Sequence, residues 1–197
     1  MIELVIDWIS TNYFELIAAG LGFIAIFLQI KQNIWYWLVS IIMVSMYIYI
    51  YIASKLYADM SLQVYYLIIS FYGWYMWLFG NKQNHHRGEL KVSRITKEMV
   101  AILGIIAMLL FILIAWILIT FTNSDLPYWD SFTTALSFVA TWMLARKVLE
   151  NWLIWIVVDA VSVGIYIYKD LYPTAVLFLF LSVLAIVGYK KWKMDLA

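Results

Sequence analysis

Apolar runs alternate with short polar breaks along nearly the whole chain, near residues 14–30, 34–53, 61–79, 99–120, 131–145, 151–168 and 173–189. A helix needs about 20 apolar residues to cross a hydrocarbon core about 30 Å thick. Several of the runs fall short of that length, 131–145 the most. The pattern nevertheless predicts an all-α integral membrane protein with seven transmembrane helices. Residues 2–9 are expected to form a short interfacial helix. The opening MIELVIDWIS carries acids and no basic residue, unlike the charged start of a cleavable signal peptide.

The third run departs from plain hydrophobicity. Gln63, Tyr66, Ser70, Trp74 and Trp77 recur at i, i+3, i+7, i+11 and i+14, which places them on one helical face. A face turned to lipid has no use for an amide, a phenol, a hydroxyl and two indoles. A face lining a pocket for a flat, polar, aromatic solute does. Trp37, Ser40 and Tyr47 in the second run, and Thr141 and Trp142 in the fifth, supply further inward polar edges.

Composition narrows the class. Apolar residues make up 66% of the 197 and charged residues only 13%, about half the soluble average. A net charge of +1 argues against a nucleic-acid partner. Without cysteine there is no disulfide, thiol catalysis or thiolate metal site. The basic residues set orientation. With the N-terminus outside, Lys31, the 82–97 stretch, Arg146, Lys147 and the 190–193 stretch all face inward, and of the thirteen Lys and Arg only Lys55 and Lys169 face outward. That bias predicts a cytoplasmic C-terminus.

The two halves resemble each other. Asn33 and Trp37 match Asn151 and Trp155 at an offset of 118. Leu56–Tyr57 matches Leu171–Tyr172, and Gly73 with Trp77 matches Gly188 with Trp192, at 115. The difference implies a three-residue gap within the second helix of each unit. Residues 1–80 are read as one three-helix repeat and 131–197 as its copy. The basic loop 81–98 and a linker helix over 99–120 lie between them and make the copies parallel. Parallel repeats are a transporter architecture with the solute near the midplane.

Asp159 is the sharpest single residue, a carboxylate in the middle of an apolar span. Trp152, Trp155, Ser162 and Tyr166 stand at −7, −4, +3 and +7 from it, so it shares a stripe like that of the third run. At the 118 offset its first-repeat counterpart is Ile41. Solute contact, a clip between helices and proton coupling are all open to such an acid. Trp8, Trp129 and Trp192 fall near span ends, where indoles favour the membrane interface. His85 and His86 in the basic loop lack the acids a metal site would want. No hydrolase motif or phosphate-binding loop appears, and no histidine lies within the spans, so no enzymatic activity, cofactor or metal is expected.

These residues resemble the PnuC family of bacterial B-vitamin transporters. The similarity rests on LYAD at 56–59, Gln63 with YGWYMW at 72–77, PYWD at 127–130, RKVLENWLIW at 146–155, and Leu171–Tyr172 with Gly188 through Trp192. It covers nearly the whole chain. The resemblance implies a SWEET-like 3+1+3 arrangement of seven helices in the bacterial inner membrane and facilitated diffusion of an unphosphorylated vitamin. It further implies trapping by a cytoplasmic kinase and a homotrimer. In the nicotinamide riboside branch, a glutamine in span three and an asparagine in span six belong to the pocket. Gln63 matches the first, and Asp159 stands where the asparagine is expected.

Thiamine and nicotinamide riboside are both flat, aromatic and cationic, so both suit an aromatic cage. A carboxylate can also accept from an aminopyrimidine, which tilts the expectation slightly to thiamine. Nicotinamide riboside by the same mechanism, or proton-coupled import through Asp159, is the alternative. A sugar carrier would leave Asp159 without a cation, and a scaffold subunit would leave the stripe unexplained. The predicted solute contacts are Asp159, Gln63, Tyr66, Trp37, Ser70, Trp74, Trp142, Trp152, Trp155, Ser162 and Tyr166. The predicted partners are the vitamin and the bilayer.

Overall fold

The computed structural model describes the backbone of residues 2–53, 57–83 and 86–196. Lys55, Leu56 and His85 lie outside the described residues, as do the side chains of Trp8, Glu15, Tyr57, Asp59, Lys82, His86 and Arg87. The described residues form helices α1 (Ile2–Ile30), α2 (Trp35–Ala53), α3 (Tyr57–Phe79), α4 (Lys97–Phe121), α5 (Pro127–Ala145), α6 (Asn151–Tyr168) and α7 (Tyr172–Met194). Strands β1 (Asn81–Gln83) and β2 (His86–Gly88) pair antiparallel between α3 and α4.

Two expectations are corrected at this level. Residues 2–9 are not a separate interfacial helix, because α1 runs unbroken to Ile30. No proline interrupts it and its first glycine is Gly20, so nothing in its first half stops helical propagation. The basic stretch 81–98 is not wholly loop either, since it folds back as the β1–β2 hairpin. Four helices, α2, α4, α6 and α7, are each long and apolar enough to cross a membrane, and α1 adds the apolar stretch Leu16–Ile30. In α5, hydroxyl residues dilute the apolar run. Those of Ser131, Thr133, Ser137 and Thr141 donate to the carbonyls of Pro127, Trp129, Thr133 and Ser137, respectively. Their polarity is therefore satisfied inside the helix.

The chain divides into unit 1, Met1–Glu89, and unit 2, Leu90–Ala197. In unit 1, α2 packs against both α1 and α3; in unit 2, α4 packs on α5, α5 on α6, and α6 on α7. Connections as short as 31–34 and 169–171 leave each joined pair antiparallel.

Helices α1, α5 and α6 end in the same way. Gln32, Lys147 and Asp170 adopt the left-handed conformation at φ 52°, 50° and 56°. After each, an N–H reaches back to the final turn: Asn33 to Leu28 O, Val148 to Met143 O and Leu171 to Tyr166 O, at 2.9, 2.9 and 2.8 Å. These are Schellman caps built without glycine.

The first two caps lie 115 positions apart, which corrects the repeat alignment. Every backbone bond of the turn from Lys31 to Trp37 recurs from Arg146 to Trp152. The packing agrees. Trp37 lies over Gly73 and meets Trp77 edge-on, with centroids 5.3 Å apart at 84°. Trp152 lies over Gly188 and meets Trp192 edge-on at 5.5 Å and 88°. The offset is therefore 115 throughout, with no three-residue gap. Trp37 corresponds to Trp152, not Trp155, and Asp159 corresponds to the buried Val44, not Ile41. The sequence match was misled by a second asparagine–tryptophan spacing three residues on. Trp192, expected at the membrane interface, is fully buried in this contact.

In unit 2 the segment ahead of α4 is strapped to the α5–α6 turn. Ser93 N–H donates to Lys147 O and Leu149 N–H to Ser93 O, while Glu150 Oε2 accepts from Ile95 N–H at 2.9 Å. Below the strap, Leu103, Val139, Met143 and Val148 form a core flanked by Ile95, Met99, Ala107, Trp142 and Ile154.

The glycine contacts predict a sharp contrast. A Cβ on Gly188 would lie 2.6 Å from the Trp152 indole, and one on Gly73 would overlap Trp37. Overpacking of this kind costs about 1–3 kcal/mol, more than the ~1 kcal/mol that alanine gains over glycine in a helix. Gly73→Ala and Gly188→Ala should lower the melting temperature in detergent. Gly104→Ala, with nothing within 4 Å, should raise it. Equal behaviour of all three would refute the close packing.

Candidate functional site

Helix α6 is the richest element. Its first residues are fixed by the Lys147 cap, and Trp152 at one edge of its inner stripe is held against α7 by Gly188. That contact sets the rotation of the helix. Asn151, Trp152, Val158, Asp159, Ser162 and Ile165 are its buried residues. Trp155, Asp159, Ser162 and Tyr166 follow one another along the stripe at helical spacing.

Asp159 is only 5% exposed. Its carboxylate makes no hydrogen bond or ion pair among the described residues. The ion pair of Lys169 with Asp130, at 3.8 Å, lies outside the stripe. Buried polar side chains are nearly always bonded, and the exceptions mark functional sites. The indole Nε1 of Trp155, one turn away, is also buried and without a partner. A buried acceptor and a buried donor on successive turns suit a solute that offers both kinds of edge. Tyr166 is occupied on one side, stacked on Phe178 at 5.1 Å and 25°.

Unit 1 holds the amide stripe. Gln63 and Trp74 are half-buried on α3, and the Gln63 amide has no hydrogen bond among the described residues. Tyr66 packs beside Tyr65 at 5.6 Å. Ser70 is buried, and its Oγ donates to Tyr66 O at 2.6 Å, so its proton is committed to its own helix. Trp77 is buried against Trp37. On α2, Trp37 Nε1 is buried with no partner among the described residues.

The predicted contacts thus fall into two groups. Asp159, Trp155, Ser162 and Gln63 hold polar atoms with no partner among the described residues. The rings of Trp37 and Trp152 are wedged over glycines, leaving only their indole N–H groups unspent. Trp142 packs on the α4–α5 core and lies beneath the Arg146 guanidinium, 5.7 Å from its centroid. Thr141 donates within α5. One buried polar residue was passed over in the sequence. Asn151 is wholly buried, its Nδ2 donates to Val148 O at 2.7 Å, and its Oδ1 has no partner. It stands one turn before Trp155 on the stripe, a spacing that was legible, but its match to Asn33 drew attention to the turn instead.

Against known proteins, residues 12–194 match the family described as nicotinamide mononucleotide transporter. The chain is 25% identical over 203 residues to the nicotinamide riboside transporter PnuC of Escherichia coli, covering 92% of this chain and 85% of that one. It is 26% identical over 154 residues to the protein of the same name from Neisseria mucosa, covering 76% and 58%. Its fold matches the crystal structure of the vitamin B3 transporter PnuC with a TM-score of 0.72 at 22% identity, over 98% of this chain and 85% of that one.

The unpartnered carboxylate generates a stability prediction. A structural clip loses a bond when its acid is removed, whereas an unpaired buried acid is a liability that an apolar residue relieves. Asp159→Leu should therefore keep or raise the melting temperature of the ligand-free protein. A drop comparable to that of Gly188→Ala would identify Asp159 as a helix clip.

Proposed function

The chain belongs to the nicotinamide mononucleotide transporter family, the PnuC transporters, and we propose that it carries nicotinamide riboside across the bacterial inner membrane by facilitated diffusion. The observation that bears most weight is the buried, unpartnered Asp159 carboxylate beside the unpartnered Trp155 indole. A pyridinium riboside offers a fixed positive charge to the first. Its carboxamide and hydroxyls offer donors and acceptors to both. Stacking on indoles adds a cation–π attraction of about 0.5–2 kcal/mol.

Thiamine, slightly favoured by the sequence, becomes the second reading. Its support is the carboxylate at a position where the resemblance implies an amide in the riboside branch. The relatives named for nicotinamide riboside support the first reading more directly.

In this reading all seven helices span the membrane as two three-helix repeats, α1–α3 and α5–α7, with α4 as the linker, an N-terminus outside and a cytoplasmic C-terminus. In unit 2, Trp155, Asp159, Ser162 and Tyr166 contact the solute; in unit 1, Gln63, Tyr66 and Trp74 are the corresponding candidates. Trp37, Trp152, Ser70 and Trp142 shape the surroundings that hold those residues in place. Passive transport fits a chain whose apolar spans hold a single interior acid, because proton relays use several ionisable groups. A cytoplasmic kinase that phosphorylates the vitamin would then make uptake one-way. A homotrimer is the assembly the resemblance implies.

Direct binding of both vitamins to purified protein tests the substrate. Nicotinamide riboside should quench tryptophan fluorescence and bind more tightly than thiamine; the reverse order would restore thiamine. Asp159→Asn should weaken thiamine binding at least tenfold, about 1.4 kcal/mol, and should keep or improve nicotinamide riboside binding, since the resemblance implies an asparagine here in the riboside branch. Unchanged affinity for both in folded protein would remove the acid from the site.

Proteoliposomes test the mechanism. Nicotinamide riboside should equilibrate without accumulating, at a rate indifferent to an imposed proton gradient. Accumulation driven by that gradient would establish coupling through Asp159 instead.

A further inference from the structure

We infer that the strap and the α5–α6 turn of unit 2 form a binding site for an anionic phospholipid, whose phosphate meets Arg94, Lys97 and Arg146 and whose acyl chains lie along α4. The inference rests on α4 spanning the bilayer and is independent of the solute carried.

The fold gathers these basic residues. Arg94 follows Ser93, whose backbone is bonded to Lys147 and Leu149 of the turn. Ile95 and Met99, close to Arg94 and Lys97 in the chain, pack with Trp142 against one core. The strap therefore sets Arg94 and Lys97 beside the end of α5, where the Arg146 guanidinium lies over the Trp142 ring, 5.7 Å from its centroid. Arg94, Lys97 and Arg146 are all exposed. The nearby acids are engaged: Glu150 accepts from Ile95 N–H, and Glu98 is hydrogen-bonded with Thr96 at the start of α4.

Each group suits a lipid head. A planar guanidinium matches a phosphate through paired N–H bonds, and an ammonium adds a point charge. Indoles favour the headgroup level. Basic pockets between spans are where acidic headgroups bind.

Helix α4 supplies the apolar half. It packs on α5, while Val100, Ile105, Met108, Leu109 and Ile112 are exposed on its other faces. No charged residue follows Glu98 in it. From Val100 to Ile112 the helix rises about 18 Å, roughly the depth of one leaflet of a core about 30 Å thick. A free phosphate would use only the cationic rim, and a neutral lipid only the apolar face. An anionic lipid uses both.

Helix α7 provides an internal comparison. Lys190, Lys191 and Lys193 are exposed at the same end of unit 2, where Trp192 meets Trp152 at the start of α6. There the indole is turned into the core and not toward the rim. The charge is similar and the cradle is missing.

The test titrates the full chain, purified in nonionic detergent, with phosphatidylglycerol or phosphatidylcholine and follows the melting temperature. Phosphatidylglycerol should raise it and phosphatidylcholine should not. Arg94→Gln with Lys97→Gln, and Arg146→Gln alone, should raise the half-saturating lipid ratio about fivefold for each charge removed. Arg94→Lys with Lys97→Arg keeps the charges and should behave as wild type, which separates a lost headgroup contact from a disturbed strap. Lys190→Gln with Lys193→Gln should leave the ratio unchanged. Equal stabilisation by both lipids would overturn the site, and so would equal weakening by the α7 pair, which would mark diffuse charge. Inorganic phosphate acting at the same potency would overturn the lipid assignment. A larger particle mass in light scattering, with no response to either lipid, would give the α4 face to a second copy of the chain and overturn it too.

Discussion

The contact between a buried tryptophan and a glycine on the next helix governs both units. Trp37 over Gly73 and Trp152 over Gly188 bring helix axes together at points where any side chain would intrude. Each indole then meets a second tryptophan edge-on, a geometry aromatic quadrupoles favour. In a bilayer the hydrophobic effect gives helices little reason to associate, so close packing at small residues carries the association. The wedge also fixes the rotation of α6. With Trp152 turned to α7, the stripe from Asn151 to Tyr166 has nowhere else to go.

The turns at the same end of each unit reinforce that placement. Schellman caps at Gln32 and Lys147 reverse the chain within four residues, although a non-glycine residue in the left-handed region costs about 1–2 kcal/mol. In unit 2, Ser93 and Glu150 add a strap that ties the start of α4 to the turn. The beginning of α6 is therefore among the most constrained points in the chain. A rigid frame there lets unpaired atoms on Asn151 and Trp155 be held without local rearrangement to satisfy them.

Asp159 shows stability and function opposed. A carboxylate buried without a partner weakens the fold that contains it. Its retention on a stripe of tryptophan and hydroxyl groups is intelligible where a cationic solute completes it. The same logic explains why the buried α5 hydroxyls of Ser131, Ser137 and Thr141 do not mark a site: each donates to a carbonyl of its own helix. Burial of polar groups is common to both helices, and only the missing partners separate them.

Helix number and order, and the stripes on α3 and α6, were legible in the sequence. They arise from local periodicity, which a bilayer or a packed bundle reads one helix at a time. The place of Asp159 in the middle of an apolar span was legible for the same reason. The repeat register was not. Two asparagine–tryptophan spacings compete in the sequence, and only the recurrence of the cap at Lys147 and the wedge at Trp152 decides between them. The sequence could not separate Trp155, with its N–H unspent, from Trp142, whose ring lies under Arg146. Nor could it show Trp192 withdrawn from the interface into a tryptophan pair, or the hairpin at 81–88. Those outcomes depend on which atoms distant helices and strands bring within bonding distance, and periodicity along one helix carries no information about that.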